Sequence, residues 1–289
     1  LAANFPPHAK LAPTLVSGPA KVTFKEWVVP TLGQRSRDPI QAADGTIWWA
    51  GQFANLIGKI DPVSGKMTEY PLPDGAYPHS VTLDAAGILW FTIQHSNMIG
   101  RLDPRTGAVK LVKVETPKAR PYGIKIDAMG TPWASCNGSN CLIRIDPATM
   151  ALTEIKLPIP ETTVRRLDIA SDGMIWYVNS SQGRLGRYDP GTGAIKEWPS
   201  PSGKASHPYA IAVVDGIVWY NESRRRPDAL VRFDPRTETF QSWAIPSGGI
   251  HAGIIRHMRA TREGNLMIHQ SSTNRIIEVG LSRPAPATQ

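Results

Sequence analysis

Six residues of chemically active type recur at near-equal intervals along the chain: Arg37, His79, Tyr122, Arg165, Tyr209 and Arg256. Three guanidinium groups, one imidazole and two phenols in a single repeated slot suit an anion. Arg presents a planar fork that bonds both oxygens of a carboxylate or phosphate, and Tyr adds a flat platform with a hydroxyl donor. Solvated polar residues lining a water-filled tunnel are the other reading of the same set. A second group gathers nearer the C-terminus, where His207 and Glu222 are followed by His251, His257 and His269. His79, Glu222 and His269 are the candidate catalytic groups. Glu222, His251 and His269 are the candidate ligands of a divalent metal, Mg, Mn or Ca, because carboxylates suit hard cations and imidazole suits Mn- or Zn-like ions. No tight HxxxH spacing supports the metal. His8 and His95 read as ordinary hydrogen-bonding loop residues. Ser-His-Asp order, a nucleotide-binding glycine loop and a C-x-x-C-H haem motif are all missing, which excludes nucleotide, flavin and haem.

These residues are positioned by a repeat. A Gly followed three residues later by Trp occurs as Gly45/Trp48, Gly87/Trp90, Gly130/Trp133, Gly173/Trp176 and Gly216/Trp219, with a degenerate Gly264/Met267. The Trp-to-Trp steps are 42, 43, 43 and 43 residues. Thirteen residues after the first four Trp comes Asp-Pro, at Asp61, Asp103, Asp146 and Asp189; in the fifth copy an insertion at 224–228 moves it to Asp234. Each unit reads as four short strands joined by an Asp/Ala/Gly turn and an Asp-Pro-x-Thr/Ser-Gly turn, in which Asp accepts from backbone N–H groups, Pro presets φ and Gly supplies positive φ. Four strands per unit of this length is the arithmetic of a β-propeller blade.

The sixth copy ends without a fourth strand, and a matching strand stands at the other end of the chain, at 24–30. The expected fold is therefore all-β: a six-bladed propeller of four-stranded blades, with the N-terminal strand completing the last blade and removing an open edge; seven blades is the alternative. The expected layout is an N-terminal arm at 1–22, the propeller at 23–281 and a tail at 282–289. The repeated Trp residues are expected to pack between blades.

The text of the second copy, residues 78–107, with its Pro78-His79, Asp84, Trp90-Phe91-Thr92 and Asn97-Met98-Ile99-Gly100-Arg101-Leu102, resembles the streptogramin B lyase (virginiamycin B lyase) family. The resemblance extends over all the repeats. It implies a propeller, described for that family as seven-bladed, and a magnesium-dependent β-elimination that opens a cyclic depsipeptide. A His from a Pro-His motif and an acid from a Trp-Phe-Thr-Glu motif would serve the metal and the base. Here the first motif survives as Pro78-His79 and the second as Glu222. His79 belongs to blade 2 and Glu222 to blade 5, on opposite sides of a six-blade ring, so these two alone do not build the family's site.

The formal net charge is +8, from 32 Lys and Arg against 24 Asp and Glu. Nucleic acid is not the expected partner, since no recognition motif accompanies the charge. Many acids fall in the turns of one face, which leaves the opposite face basic. A small or polymeric anion, such as a uronate-type saccharide, or an acidic protein is the partner expected at the channel mouth. Two functions compete: a carbon–oxygen lyase in which Arg37, Arg165 or Arg256 stabilises an enolate, and a non-catalytic binding module. A sugar-lactone hydrolase would need a metal cage, to which Glu222, Asn179 and Asn221 could contribute. No stretch approaches the ~18 apolar residues of a membrane span, and the expected state is a monomer. Cys136 and Cys141 flank an Asn-Gly turn that can bring them within bridging distance. A disulfide is expected there, and with it a periplasmic or extracellular protein whose signal peptide has been removed; two unpaired thiols on neighbouring strands is the alternative.

Overall fold

The computed structural model describes residues 14–19, 21–72, 77–103, 105–106, 108–157, 159, 161–246, 255–270 and 275–281, with the backbone alone for Lys25, His269, Gln270 and Arg275. Strand β1 (Val22–Val28) leads into blade 1, made of β2 (Ser36–Gln41), β3 (Ile47–Gly51), β4 (Leu56–Ile60) and β5 (Met67–Pro71). Blade 2 holds β6 (Ser80–Leu83), β7 (Leu89–Ile93), β8 (Met98–Leu102) and β9 (Val109–Lys113). Blade 3 holds β10 (Pro121–Ile126), β11 (Pro132–Cys136), β12 (Cys141–Ile145) and β13 (Leu152–Lys156). Blade 4 holds β14 (Val164–Ile169), β15 (Ile175–Asn179), β16 (Arg184–Tyr188) and β17 (Ile195–Pro199). Blade 5 holds β18 (Pro208–Val214), β19 (Ile217–Glu222), β20 (Ala229–Asp234) and β21 (Thr239–Ala244). Blade 6 holds β22 (Ile255–Ala260), β23 (Leu266–Gln270) and β24 (Arg275–Leu281), and β1 is its outer strand.

The closure follows the count of strands. β1 pairs antiparallel with β24, Val22 opposite Leu281 and Val28 opposite Arg275. The innermost strands β2, β6, β10, β14, β18 and β22 touch in turn, and β22 returns to β2, so the ring closes at six blades. Along the outside, residues 14–19 run beside β21, where Val16 donates to Ser242 Oγ at 2.8 Å and accepts from the Ser242 N–H at 2.9 Å.

The turn residues act as their types dictate. Asp84 Oδ1 accepts from the N–H groups of Ala86 and Ile88, and its Oδ2 takes the Trp90 indole N–H at 3.0 Å. Asp127 repeats this with Met129, Thr131 and Trp133. Between them Gly87 and Gly130 have φ of +75° and +81°, where a Cβ would be strained. In the second turn of each blade Asp61, Asp146 and Asp189 accept from the N–H groups of Val63, Ala148 and Gly191. These carboxylates are consumed by turn geometry, on the face away from the channel mouth.

An apolar cluster fills each junction between neighbouring blades. Trp90, Ile99, Ile124 and Ile143 join blades 2 and 3. Trp176 and Trp198, with ring centroids 5.5 Å apart, pack with Phe233 between blades 4 and 5. Trp219 and Trp243 lie between blades 5 and 6. The repeated Trp is thus a wedge between sheets, and the rigid ring it builds holds the inner strands in place.

Candidate functional site

Strict alternation along a strand sends successive side chains to opposite faces, and most inner strands break it. Tyr122-Gly123, Arg165-Arg166 and Tyr209-Ala210 each oppose a single residue of the neighbouring strand, and blade 1 bulges at Asp38-Pro39. A bulge re-aims the side chains beside it. The consequence is clearest in blade 4, where consecutive arginines both reach into the channel. Arg165 lies over the rings of Tyr122 and Tyr209, 5.7 and 5.0 Å from their centroids. Arg166 reaches blades 1, 2 and 6. It forms a bidentate pair with Asp38 at 2.5 and 2.6 Å, bonds Ser80 Oγ, and donates through Nε to the Arg256 carbonyl at 2.9 Å.

The six slot residues meet at the mouth. The hydroxyls of Tyr122 and Tyr209 are hydrogen-bonded to each other, and Arg256 Nη1 donates to the Tyr209 hydroxyl at 2.8 Å. The His79 ring packs on Tyr122 with centroids 3.9 Å apart, and Arg37 Nε donates to Gln52 Oε1 at 2.6 Å. Arg35, in the loop before β2, joins the group and packs its guanidinium over Phe53 at 4.8 Å. Arg37 Nη1, His79 Nε2 and Arg165 Nε are buried without a hydrogen-bond partner.

So many cations in a dry space reset the titrating groups. Burial, then Arg37, Arg166 and Arg35, hold the His79 imidazole well below its usual range, so it is neutral. His207, hydrogen-bonded to Ser223 Oγ at 2.8 Å, is lowered to about 4 by burial and by Arg165, Arg224 and Arg256. Arg35 is lowered to about 10, by burial and then by Arg37 and Arg256. For Tyr122 burial acts upward, but Arg37, Arg166, Arg256 and Arg165 together outweigh it and bring the phenol down to about 8.

Below the mouth the channel is plugged by ion pairs. Lys125 Nζ lies 2.7 Å from Asp168 Oδ1, and Asp168 Oδ2 also accepts from the Val213 N–H. Arg259 crosses from blade 6 to bond Thr82 Oγ1 at 3.2 Å and the Val81 carbonyl. Burial lowers Lys125 to about 8. Asp38 and Asp168 face Arg37, Lys125, Arg165, Arg166, Arg256 and Arg259, so among the described residues the channel carries a large cationic excess. The water-filled tunnel of the alternative reading is, at this depth, a packed ionic plug.

Glu222 lies apart from this group. Its carboxylate accepts from Ser200 Oγ at 2.9 Å, the Ser202 N–H at 2.8 Å and Ser202 Oγ, and it is fully buried. These bonds tie the end of β19 to the loop before β18, a structural clamp distant from His79. The backbone of His269 pairs with His257 in β22, the His269 side chain is outside the description, and His251 lies outside the described residues. Among the described residues no three His, Cys, Asp or Glu side chains converge to hold a metal. Of the three candidate ligands only the Glu222 carboxylate is described, and its contacts are to Ser200 and Ser202, so no step is derived through a metal. The Cys136–Cys141 disulfide is corrected: the two residues are direct partners across β11 and β12 but are free, buried thiols. Cys141 Sγ is hydrogen-bonded to Ser139 Oγ at 3.0 Å, and a hydrogen bond to Cys141 together with burial pushes the Cys136 thiol up.

Arg166 and Asp38 were not anticipated as channel residues. A pair of consecutive polar residues at an inner strand, as in Arg165-Arg166, is the signal that reveals them, because alternation would bury one of the two between sheets. A groove of about 920 Å³ lies elsewhere, beside the N-terminal arm, with walls that include Ile217, Trp219 and Phe240. Trp219 and Gln241 in its wall also carry buried nitrogens without a partner, but the mouth is the better candidate because its unpaired donors belong to charged guanidinium groups.

Among solved structures the chain is similar to virginiamycin B lyase from Staphylococcus aureus, at 20% identity and a TM-score of 0.71, covering 91% of this chain and 100% of that one. It is similar to the calcium-binding protein regucalcin from Agrobacterium tumefaciens strain C58, at 15% identity and a TM-score of 0.68, covering 87% and 91%. It is also similar to the PQQ-bound aldose sugar dehydrogenase from Streptomyces coelicolor, at 17% identity and a TM-score of 0.65, covering 92% and 100%. At these identities the likeness is one of fold. No curated protein sequence matches the chain. Residues 19–232, from the arm through most of blade 5, match the virginiamycin B lyase family. With that match spanning most of its length, the chain belongs to the virginiamycin B lyase family.

Proposed function

We propose that this propeller binds the carboxylate of a small organic acid at its channel mouth, between Arg35, Arg37, Arg165 and Arg256 and above the Tyr122–Tyr209 pair. The observation that carries this reading is Arg37 Nη1 and Arg165 Nε, both buried without a hydrogen-bond partner, although Arg165 also bonds Tyr122 through its side chain. A buried donor left unmade costs about 1–3 kcal/mol, more when charged, and a carboxylate placed over Arg37 and Arg165 would recover that cost. Asp38 does not serve, because Arg166 already occupies both its oxygens. Titration calorimetry with small carboxylates tests the reading. Binding should weaken as salt rises, and Arg165→Ala with Arg256→Ala should weaken it at least about tenfold. Unchanged affinity in that double variant would overturn it.

A second reading, lyase-type turnover, is favoured by the Tyr122 phenol at about 8. A base at that value is well matched to neutral or mildly alkaline operation. On a uronate-type saccharide, the phenolate would take the proton α to the carboxylate while the guanidinium groups stabilise the charge spreading onto the carboxylate oxygens. The C–H electron pair forms the new double bond, the β carbon–oxygen bond breaks, and the leaving oxygen keeps its pair and collects a proton. In this reading the proton passes through Tyr122, and Glu222 stays in its clamp. Formation of the unsaturated product, followed by ultraviolet absorbance, should be lost in Tyr122→Phe while carboxylate binding is retained.

A further inference from the structure

Among the described residues, exposed large apolar side chains on the mouth face fall in one sector. They are Leu32, Phe53 and Tyr77, at 72%, 60% and 52% exposure. Leu32 lies in the loop before β2, Phe53 in the loop between β3 and β4, and Tyr77 just before β6. The loops are joined: the Phe53 N–H donates to the Gln34 carbonyl at 2.9 Å, and the Tyr77 N–H donates to Asn55 Oδ1 at 3.1 Å. The corresponding loops elsewhere on this face are polar, as in Gln94-His95-Ser96-Asn97, Asn137-Gly138-Ser139-Asn140 and Ser180-Ser181-Gln182-Gly183. Other exposed large hydrophobics, such as Val63, Val109 and Met129, sit on outer strands or on the opposite face.

This apolar rim is continuous with the cationic floor. Arg35 lies over the Phe53 ring at 4.8 Å, and the same guanidinium feels the charges of Arg37 and Arg256 and the phenol of Tyr122. A ligand whose carboxylate sits among the arginines has Phe53, beneath Arg35, as a neighbour on the blade 1 side, with Leu32 in the same loop as Arg35. Scattered apolar residues on a surface mean little, but apolar residues grouped at the lip of a polar pocket mark a binding site.

We infer that the ligand is amphipathic: a carboxylate head joined to an apolar or aryl body that lies on Leu32, Phe53 and Tyr77. This rests on the carboxylate-binding reading and adds the class of molecule. Charge complementarity fixes which end enters, and the one-sided rim fixes the direction in which the body leaves the channel.

Calorimetry on the full chain with four probes tests it: acetate, glucuronate, 4-phenylbutanoate and the neutral 4-phenylbutan-1-ol. 4-Phenylbutanoate should bind at least about tenfold more tightly than acetate or glucuronate, from burial of its ring and methylenes. Leu32→Ser with Phe53→Ser should bring it to within about twofold of acetate. Both side chains are exposed, so the fold should survive, and an unchanged acetate affinity in the variant confirms that it does. Equal binding of acetate, glucuronate and 4-phenylbutanoate overturns the rim while leaving the carboxylate site intact, as does an undiminished preference in the double variant. If the alcohol binds as tightly as the acid, the carboxylate site itself fails.

Discussion

Tyr122 is the residue at which opposing effects can be weighed one against another. A fully buried phenol should titrate above its ordinary value, because the phenolate is poorly solvated. Here Arg37, Arg166, Arg256 and Arg165 outweigh burial and bring it to about 8. Tyr220 is an internal control: it is equally buried, lacks such neighbours and is raised well above the usual range, with burial the largest cause. A spectrophotometric titration should therefore show a tyrosine ionising near pH 8, well before Tyr177 and Tyr220, which are raised. Tyr122→Phe should remove that step, and a carboxylate ligand should raise its midpoint by cancelling part of the cationic field. A curve without a step below pH 9 would show that the arginines are neutralised by other means. At this scale much was legible in the sequence. The six slot residues do come together, because they share one position of a repeat. The roles of Glu222 and Arg166 were not legible: the first depends on Ser200 and Ser202 folding back over a carboxylate, the second on a bulge.

Elements were legible where local chemistry and repeat agreed, and failed where a backbone irregularity intervened. Asp, Gly and Trp at fixed offsets placed the turns, since Asp84 and Asp127 each cap a turn and hold an indole. The two-residue bulges of β10, β14 and β18 have no such signature, because a bulge is set by pairing with the next strand. Another spacing rule emerges only from packing. Gly186 in β16 lies under the Tyr177 ring of β15, and a Cβ there would stand 2.2 Å from a ring carbon; Gly100 is related in the same way to Phe91. The Gly of the repeated Asn-x-Ile-Gly-Arg text is thus the floor for an aromatic on the adjacent strand. Gly186→Ala should destabilise the protein by roughly 1–3 kcal/mol through overpacking, read as a lower urea midpoint with unchanged slope. Pairing it with Tyr177→Phe should restore little, since the clash is with the ring and not the hydroxyl. Full restoration by Tyr177→Leu would confirm the contact, and no loss in Gly186→Ala alone would refute it. The cysteine pair makes the same point. Adjacency of Cys136 and Cys141 was legible, but their state was not, and both should react with a thiol reagent in denaturant without prior reduction.

For the whole molecule, the cationic channel sets how stability responds to pH. The basic and phenolic groups that line the channel share a direction. His79 is held well below its usual range and His207 at about 4, while Lys125 and Tyr122 are both lowered to about 8. A group whose folded-state value is depressed binds fewer protons when folded, so its contribution is present above its unfolded value and is lost as pH falls through the folded one. Asp228, buried where it accepts from the Ile255 N–H and from Arg226, runs the other way: raised to about 7, chiefly by burial, it favours the folded state at low pH. Between about pH 4 and 6 two histidines oppose one aspartate, so stability should rise with pH by roughly 1 kcal/mol per unit. Just above pH 8 Lys125 and Tyr122 act together and stability should rise again. Towards pH 10 Cys136, Tyr177 and Tyr220, all raised in the folded state chiefly by burial and buried hydrogen bonds, oppose them and flatten the rise. Asp44, Asp61 and Asp103 are lowered by exposed turn bonds and matter only in stronger acid, with effects diminished by solvent. Urea unfolding at pH 5, 6.5, 8 and 10 measures this profile. Asp228→Asn should steepen its acid limb by removing the opposing group, and Lys125→Met should flatten the alkaline limb. Adding 4-phenylbutanoate should stabilise the protein most at pH 5 to 6.5, where the channel's positive charge is greatest, and least at pH 10. If Lys125→Met leaves the profile between pH 8 and 9 unchanged and 4-phenylbutanoate stabilises equally at every pH, the channel's charge is balanced by other groups, and the basis for an anion at the mouth falls with it.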